Sequence, residues 1–215
     1  MIPLSFFLSG GAALVYEVVW VRVVSLFCGH TALAASAVLA AYMAGLALGG
    51  GLGGRKADRL APGRLLALYA LLELGIALTG SLSKPALEAV GGAALRLGLS
   101  ALPPAFQSAA CFALSLAVLL IPTTLMGATL PVLTRWKSLT SPGGAESAPD
   151  RPVALLYGLN TLGAVLGAAA AGFWLLPELG TTACLLCAAA LNAGCAGIAL
   201  LAWRRRSGRK APGAA

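Results

Sequence analysis

Two acidic side chains, Glu17 and Glu73, lie near the middle of long apolar stretches, where a charged group is unusual. A charge at the centre of a membrane-spanning helix costs about 2.5–3.5 kcal/mol on insertion scales. Each carboxylate is therefore expected to face the interior of a helix bundle, a partner or a water-filled cavity. Beside aromatic rings, two such carboxylates could bind an organic cation such as a polyamine through charge pairing and cation–π contact. They could equally take up and release protons.

Other polar and aromatic side chains are expected at a similar depth on separate helices. Tyr42 and Asn192 lie near the middle of their own apolar stretches, and transporter sites commonly lie near the bilayer midplane. The alternative is a structural role, with Glu17 paired to an arginine elsewhere, Glu73 accepting hydroxyl or backbone donors, and amides or phenols bonding between helices. The candidate substrate- or ion-binding residues are Glu17, Glu73, Tyr16, Trp20, Tyr42, Thr123, Tyr157, Asn160 and Asn192.

Long apolar helices must position these residues. The chain is 59% hydrophobic and only 10% charged. Soluble domains carry about 25% charged residues, so an ordinary soluble domain is excluded. A membrane span needs roughly 20 mostly apolar residues, and six stretches have that length. We therefore predict an all-α integral membrane protein, with a six-helix membrane domain at residues 1–206 and a disordered cytoplasmic tail at residues 207–215. The predicted spans are at about residues 4–27, 32–54, 65–82, 108–133, 153–176 and 181–203.

The distribution of positive charge predicts the orientation of these spans. Twelve of the 15 Lys and Arg residues fall on one side of the six spans, and cytoplasmic loops are enriched in such residues. Both termini are therefore expected in the cytoplasm, and the net charge of +8 needs no nucleic-acid partner. The less apolar segment at residues 83–107 is predicted to be an interfacial helix on the outer face between the third and fourth helices, with a seventh span as the alternative.

Small residues recur at helical spacing in two of the predicted spans. Gly45, Gly49 and Gly53 line one face of the second span, and Gly163 and Gly167 line one face of the fifth. Such stripes let neighbouring membrane helices approach closely, so these glycines are predicted to serve helix packing. The second and fifth spans are the middle members of two successive triplets, as in transporters built from inverted three-helix repeats.

A basic loop follows the second span. Its residues Asp58, Arg59 and Arg64 are predicted to form a cytoplasmic latch that ties the second helix to the third. The stretch GRKADRLAPGR at residues 54–64 resembles the loop between the second and third helices of major facilitator superfamily transporters, with two more residues before the final Gly-Arg than that family usually has.

Five stretches in this order together resemble the N-terminal membrane domain of bacterial spermidine-synthase-like proteins. They are FLSGGAALVYEVVWVR, AYMAGLALGGGLGGRKADR, LYALLELGIAL, PTTLMGATLPVL and LYGLNTLGAVLGAAAAGFWLLPELG. Those proteins fuse a membrane region resembling the major facilitator superfamily to a cytoplasmic aminopropyltransferase. The resemblance implies a fold like half of such a transporter, in the bacterial inner membrane. The family's catalytic domain is absent from this sequence, so no aminopropyltransferase activity is expected.

Three alternative functions are compatible with these observations. The first is a homodimeric half-transporter for a small cationic solute such as a polyamine. The second is a membrane anchor or substrate-delivery module for a soluble synthase-like partner, and the third is a purely structural subunit. The five cysteines are interpreted as small packing residues, because Cys184-x-x-Cys187 lacks a second pair or a nearby histidine. We therefore expect no catalytic residues, no metal site and no cofactor, with the lipid bilayer as the principal partner.

Overall fold

The structure, a computed structural model, describes residues 1–140 and 150–208, and its regular elements are all helical. The predicted tail at residues 207–215 therefore lies almost wholly outside the described residues. A 3-10 turn (Leu99–Ala101) precedes the fourth long helix, and a π-helical turn (Ala171–Leu175) joins the last two. The all-α prediction is confirmed for this part of the chain. The helices are α1 (Ile2–Cys28), α2 (Thr31–Asp58), α3 (Pro62–Arg96), α4 (Pro104–Thr140), α5 (Asp150–Ala170) and α6 (Leu176–Gly208).

Local sequence signals explain where the first three helices begin and end. A proline lies in the first turn of α1 and of α3, where its missing N–H costs nothing. The chain leaves α1 at Gly29, whose φ of 77° is a left-handed conformation that glycine adopts without steric cost. The N–H of Gly29 donates to the carbonyl of Ser25, so the end of α1 keeps a backbone hydrogen bond.

Within residues 1–140 and 150–208, five helical segments are long and apolar enough to cross a membrane, by their length and composition. Four coincide with α1 to α4, and the fifth runs from Val153 to Arg205, because the chain stays largely helical from α5 into α6. The sequence predicts six spans, and the difference lies in this last segment. Large apolar side chains such as Leu26, Leu78 and Phe173 are exposed on the bundle surface, which is favourable in lipid and unusual in water. These are the features of a multi-pass membrane protein.

The segment at residues 83–107, predicted as an interfacial helix, is not a separate helix. Instead α3 continues through Ser83 and Pro85 to Arg96, and α4 begins at Pro104. The polar residues that suggested an interfacial segment include Lys84 and Glu88, which form an ion pair of 2.9 Å at the i and i+4 positions. Residues four apart lie on the same face of one continuous helix. The charged residues in this segment are therefore compatible with an unbroken α3.

The closest helix pairs are α2 with α4 and α1 with α5, while α3 packs against both α4 and α6. Glycine residues allow the close approach of α2 to α4 and of α1 to α5. A Cβ atom at Gly49 would meet the backbone of Thr124 and Ala128, and one at Gly163 would meet the backbone of Phe7. The other glycines predicted to serve helix packing lie at the same two contacts: Gly45, Gly53 and Gly167.

A disulfide joins Cys28, the last residue of α1, to Cys111 in the second turn of α4. Their Cα atoms are 5.9 Å apart, and 83 residues separate them in the chain. The interpretation of every cysteine as a packing residue is therefore wrong for these two. The sequence spacing gave no sign of the pair, because α1 and α4 are brought together only by the folded bundle. Cys184, Cys187 and Cys195 are free thiols.

Candidate functional site

A cavity of about 510 Å³ lies among α1, α2, α4 and α5. Three of the predicted site residues line it: Tyr42 from α2, and Tyr157 and Asn160 from α5. Ser9 and Ala13 of α1 form part of the facing wall. The volume is in the range of small-molecule sites, and the walls are mostly apolar with a few polar groups, as such sites usually are.

Glu17 does not line this cavity, but it lies next to residues that do. It is one helical turn beyond Ala13 on the same face of α1, because residues four apart in a helix share a face. It is half-buried and lies close enough to Tyr42 to interact with it electrostatically. Among the described residues Glu17 forms no ion pair, and Arg22 is exposed on another part of α1. The structure therefore places an unpaired carboxylate beside an aromatic residue of the cavity wall.

The aromatic residues of α1 form a stack beside this carboxylate. The rings of Tyr16 and Trp20 are stacked with centroids 5.6 Å apart, and Trp20 is tilted against Tyr42 at 6.4 Å. The indole N–H of Trp20 donates to the hydroxyl of Ser83 at 2.7 Å. Trp20 and Tyr16 are fully buried, so they support the position of Tyr42 rather than line the cavity.

Glu73 lies in a second polar cluster, away from the cavity lining. Its side chain is 0% exposed, and the amide of Asn192 donates to its Oε2 atom at 2.6 Å. Tyr69 of α3 and Ser9 of α1 are also neighbours of the carboxyl group. The structure thus brings Glu73 and Asn192 together between α3, α6 and α1, whereas Glu17 faces α2. The two carboxylates do not form one site.

Thr123 is not brought to the cavity. Its hydroxyl donates to the carbonyl of Leu119 one turn earlier in α4, at 2.6 Å. Its side chain also fills the space beside Gly45, where a Cβ atom would collide with it. These contacts give Thr123 a packing role between α2 and α4.

Asp58, predicted to form a latch with Arg59 and Arg64, has a different partner from the predicted one. Asp58 at the end of α2 pairs with Arg135 of α4 at 3.6 Å, so it ties α2 to α4 rather than to α3. Arg59 and Arg64 are exposed, and neither forms an ion pair with the residues that the structure describes. Both members of the Asp58 pair are at least a third exposed, and such surface pairs contribute about 0–1 kcal/mol. Arg135 follows the last proline of α4 by one turn, and nothing in its sequence spacing from Asp58 indicates that the two residues pair.

The described residues contain no group of three or more His, Cys, Asp or Glu side chains that could hold a metal ion. Comparisons with protein-family models, curated proteins and solved structures found no match to this chain. The resemblance to the membrane domain of spermidine-synthase-like proteins therefore stays a prediction from its motifs. The site must be interpreted from its own chemistry, which combines a mostly apolar cavity of about 510 Å³, two tyrosines in its wall and, within the described residues, a carboxylate without an ion-pair partner beside Tyr42.

Proposed function

We propose that this chain is a transporter-like membrane protein that binds a small organic cation, such as a polyamine, in the cavity among α1, α2, α4 and α5. The observation that carries the proposal is the carboxylate of Glu17, which has no ion-pair partner in the described part of the chain and adjoins Tyr42. A cation in the cavity would supply the missing opposite charge. The faces of Tyr42 and Tyr157 would add cation–π contact, worth about 0.5–2 kcal/mol for each ring.

We propose six membrane spans rather than five. A straight helix from Val153 to Arg205 would have 53 residues and a length of about 80 Å, whereas the hydrocarbon core is about 30 Å thick. Gly180 has φ 74° and ψ 174°, which are not helical values, and it falls between the predicted fifth and sixth spans. This supports a turn at Gly180 that divides the segment into two crossings.

The helix pairs support a repeat of three helices with inverted topology. If α1 to α3 are exchanged with α4 to α6, the α2–α4 contact becomes the α5–α1 contact, and the α3–α6 contact is unchanged. These are the closest pairs in the bundle, and inverted three-helix units are a recurring construction in transporters. A single unit of six spans corresponds to half of the twelve-helix layout, so we include a homodimer in the proposal.

We propose that the end of the bundle with the Cys28–Cys111 disulfide faces outward and that both termini are cytoplasmic, in the inner membrane of a bacterium. Disulfides persist in oxidising compartments outside the cytosol. The basic residues at the other ends of α2, α4 and α6, among them Lys56, Arg135 and Arg204, agree with this orientation.

Thiol counting tests the disulfide and the orientation together. The chain has five cysteines, so denatured protein from the native membrane should expose three alkylatable thiols before reduction and five after it. The Cys28→Ser variant should expose four thiols with or without reductant, because Cys111 would lose its partner. Five thiols in the parent without reductant would contradict both the disulfide and the outward position of this end.

Equilibrium dialysis with radiolabelled spermidine tests the proposed binding. The purified chain should bind the polyamine, and Glu17→Gln should weaken binding at least about tenfold, which corresponds to about 1.4 kcal/mol for the lost charge pair. Glu178→Gln is the matched control, because Glu178 is exposed and outside the cavity lining. The particle mass of the same sample should equal two chains.

Equal binding by Glu17→Gln and the parent would contradict a cation site at this cavity. Binding with a mass of one chain would contradict only the dimer. If no polyamine binds, the anchoring or delivery function gains support when the chain co-purifies with a soluble synthase-like partner. If no such partner co-purifies, the purely structural function would remain.

A further inference from the structure

The carboxyl group of Glu73 is the most deeply buried acidic group among the described residues, and its hydrogen bonding is incomplete. Its Oε2 atom accepts from Asn192, and the hydroxyl groups of Ser9 and Tyr69 lie close to the carboxyl group, but no donor meets its Oε1 atom in hydrogen-bonding geometry within the described residues. The amide oxygen of Asn192 is buried and has no donor either. Buried acceptors are rarely left without a donor in native proteins, so these two oxygens require an explanation.

Among the residues that the structure describes, no positive charge compensates this carboxyl group. The ionisable side chains that interact with Glu73 are Tyr16 from α1, Tyr69 from α3 itself and Cys195 from α6. Asn192 and Ser9 complete the surroundings with neutral groups, and α4, which also packs on α3, contributes no ionisable group to this interaction. An ionised carboxylate with no cation nearby is strongly disfavoured in an apolar interior, and such a group normally becomes neutral.

We propose that Glu73 and Asn192 form a proton-binding site within the bundle. A proton on Oε1 would turn that atom into a donor, and the amide oxygen of Asn192 is the acceptor without a donor on the side chain that already bonds to this carboxyl group. With the existing bond from the Asn192 amide N–H to Oε2, the two side chains then form a closed acid–amide pair. One proton therefore satisfies both unpaired oxygens. Its release leaves a carboxylate, and the proton passes to water.

Ser9 connects this site to the cavity. It lies in the cavity wall, and its side chain is also a neighbour of the Glu73 carboxyl group. A hydroxyl group can accept a proton from water on one side and donate one on the other. Protons would therefore enter from the cavity through Ser9. Any link between proton release and binding of a cation rests on the proposed function, whereas the proton site itself does not.

Infrared spectroscopy of the purified chain tests the proton site directly. At neutral pH, in a detergent without ester groups, the parent should show a carboxylic acid C=O band that moves when the solvent is changed to ²H₂O. The Glu73→Gln variant should lose this band, whereas Glu178→Gln, which changes an exposed carboxylate, should keep it. A parent spectrum with no acid band, or an acid band of equal intensity in Glu73→Gln, would overturn the proposal, because any acid band of Glu17 is present in both proteins.

The stability of Glu73→Gln gives a second measurement that does not depend on spectral assignment. Glutamine can donate to the Asn192 oxygen and accept from its amide N–H, so it reproduces the protonated pair. Its midpoint of thermal unfolding at neutral pH should equal that of the parent, and Glu73→Leu should lower the midpoint. A midpoint for Glu73→Gln as low as that of Glu73→Leu would show that the charge itself is needed, which contradicts the proposal. Both measurements can succeed even if no polyamine binds.

Discussion

Replacing Gly49 with leucine is expected to prevent α2 and α4 from packing, whereas the same change at Gly51, two residues away, should be tolerated. A Cβ atom at Gly49 would lie 2.8 Å from the carbonyl carbon of Thr124 and 2.9 Å from the backbone nitrogen of Ala128. Backbone atoms cannot rotate away, so the helices would have to separate. Overpacking of this kind typically costs about 1–3 kcal/mol and occasionally more. At Gly51 nothing lies within 4 Å of the Cβ position.

Alanine at the same two positions should change the stability of the protein in different directions. Gly49→Ala should lower stability for the reason just given. Gly51→Ala should leave stability unchanged or raise it by up to about 1 kcal/mol, because glycine in a helix interior is less favourable than alanine. Thermal unfolding and the monodisperse fraction after detergent extraction measure both effects. Similar behaviour of the two leucine variants would contradict the α2–α4 contact.

The sequence was sufficient to indicate long apolar helices and the glycine faces along which α2 and α5 pack, but not that α3 continues to Arg96. Long apolar stretches predict spans because only closed backbone hydrogen bonding is stable in lipid, and the glycines of α2 and α5 lie where helices meet. The sequence did not indicate that α2 would pack on α4 or that Thr123 would fill the space beside Gly45. Such pairings depend on the arrangement of the whole bundle, which one helix cannot reveal.

Prediction was weaker for the polar sites. Glu73 and Asn192 are 119 residues apart in the chain, so no local spacing links them, and only the packing of α3 on α6 brings them together. The same reasoning applies to the Cys28–Cys111 disulfide. Glu17 and Glu73 were predicted to contribute to one site because both lie near mid-span. However, side chains on opposite faces of a helix can lie at the same depth in the membrane. Glu17 and Glu73 lie at a similar position along their spans but face different neighbours.

If the cavity carries a cation across the membrane as proposed, replacing Glu17 with glutamine is expected to abolish most of that transport. The substitution keeps the size of the side chain and removes its charge, which is the only unpaired carboxylate beside the cavity in the described part of the chain. A cation that leaves water needs an opposite charge or strong dipoles in its place. The loss of Glu17 should therefore reduce uptake at least about tenfold, equivalent to about 1.4 kcal/mol.

Uptake of radiolabelled spermidine into proteoliposomes is the most direct measurement of this account. Parent protein should accumulate the polyamine above empty vesicles, Glu178→Gln should match the parent, and Glu17→Gln should approach the empty vesicles at equal reconstituted amounts. Parent uptake equal to that of empty vesicles, or equal uptake by the parent and Glu17→Gln, would contradict a cation pathway through the cavity.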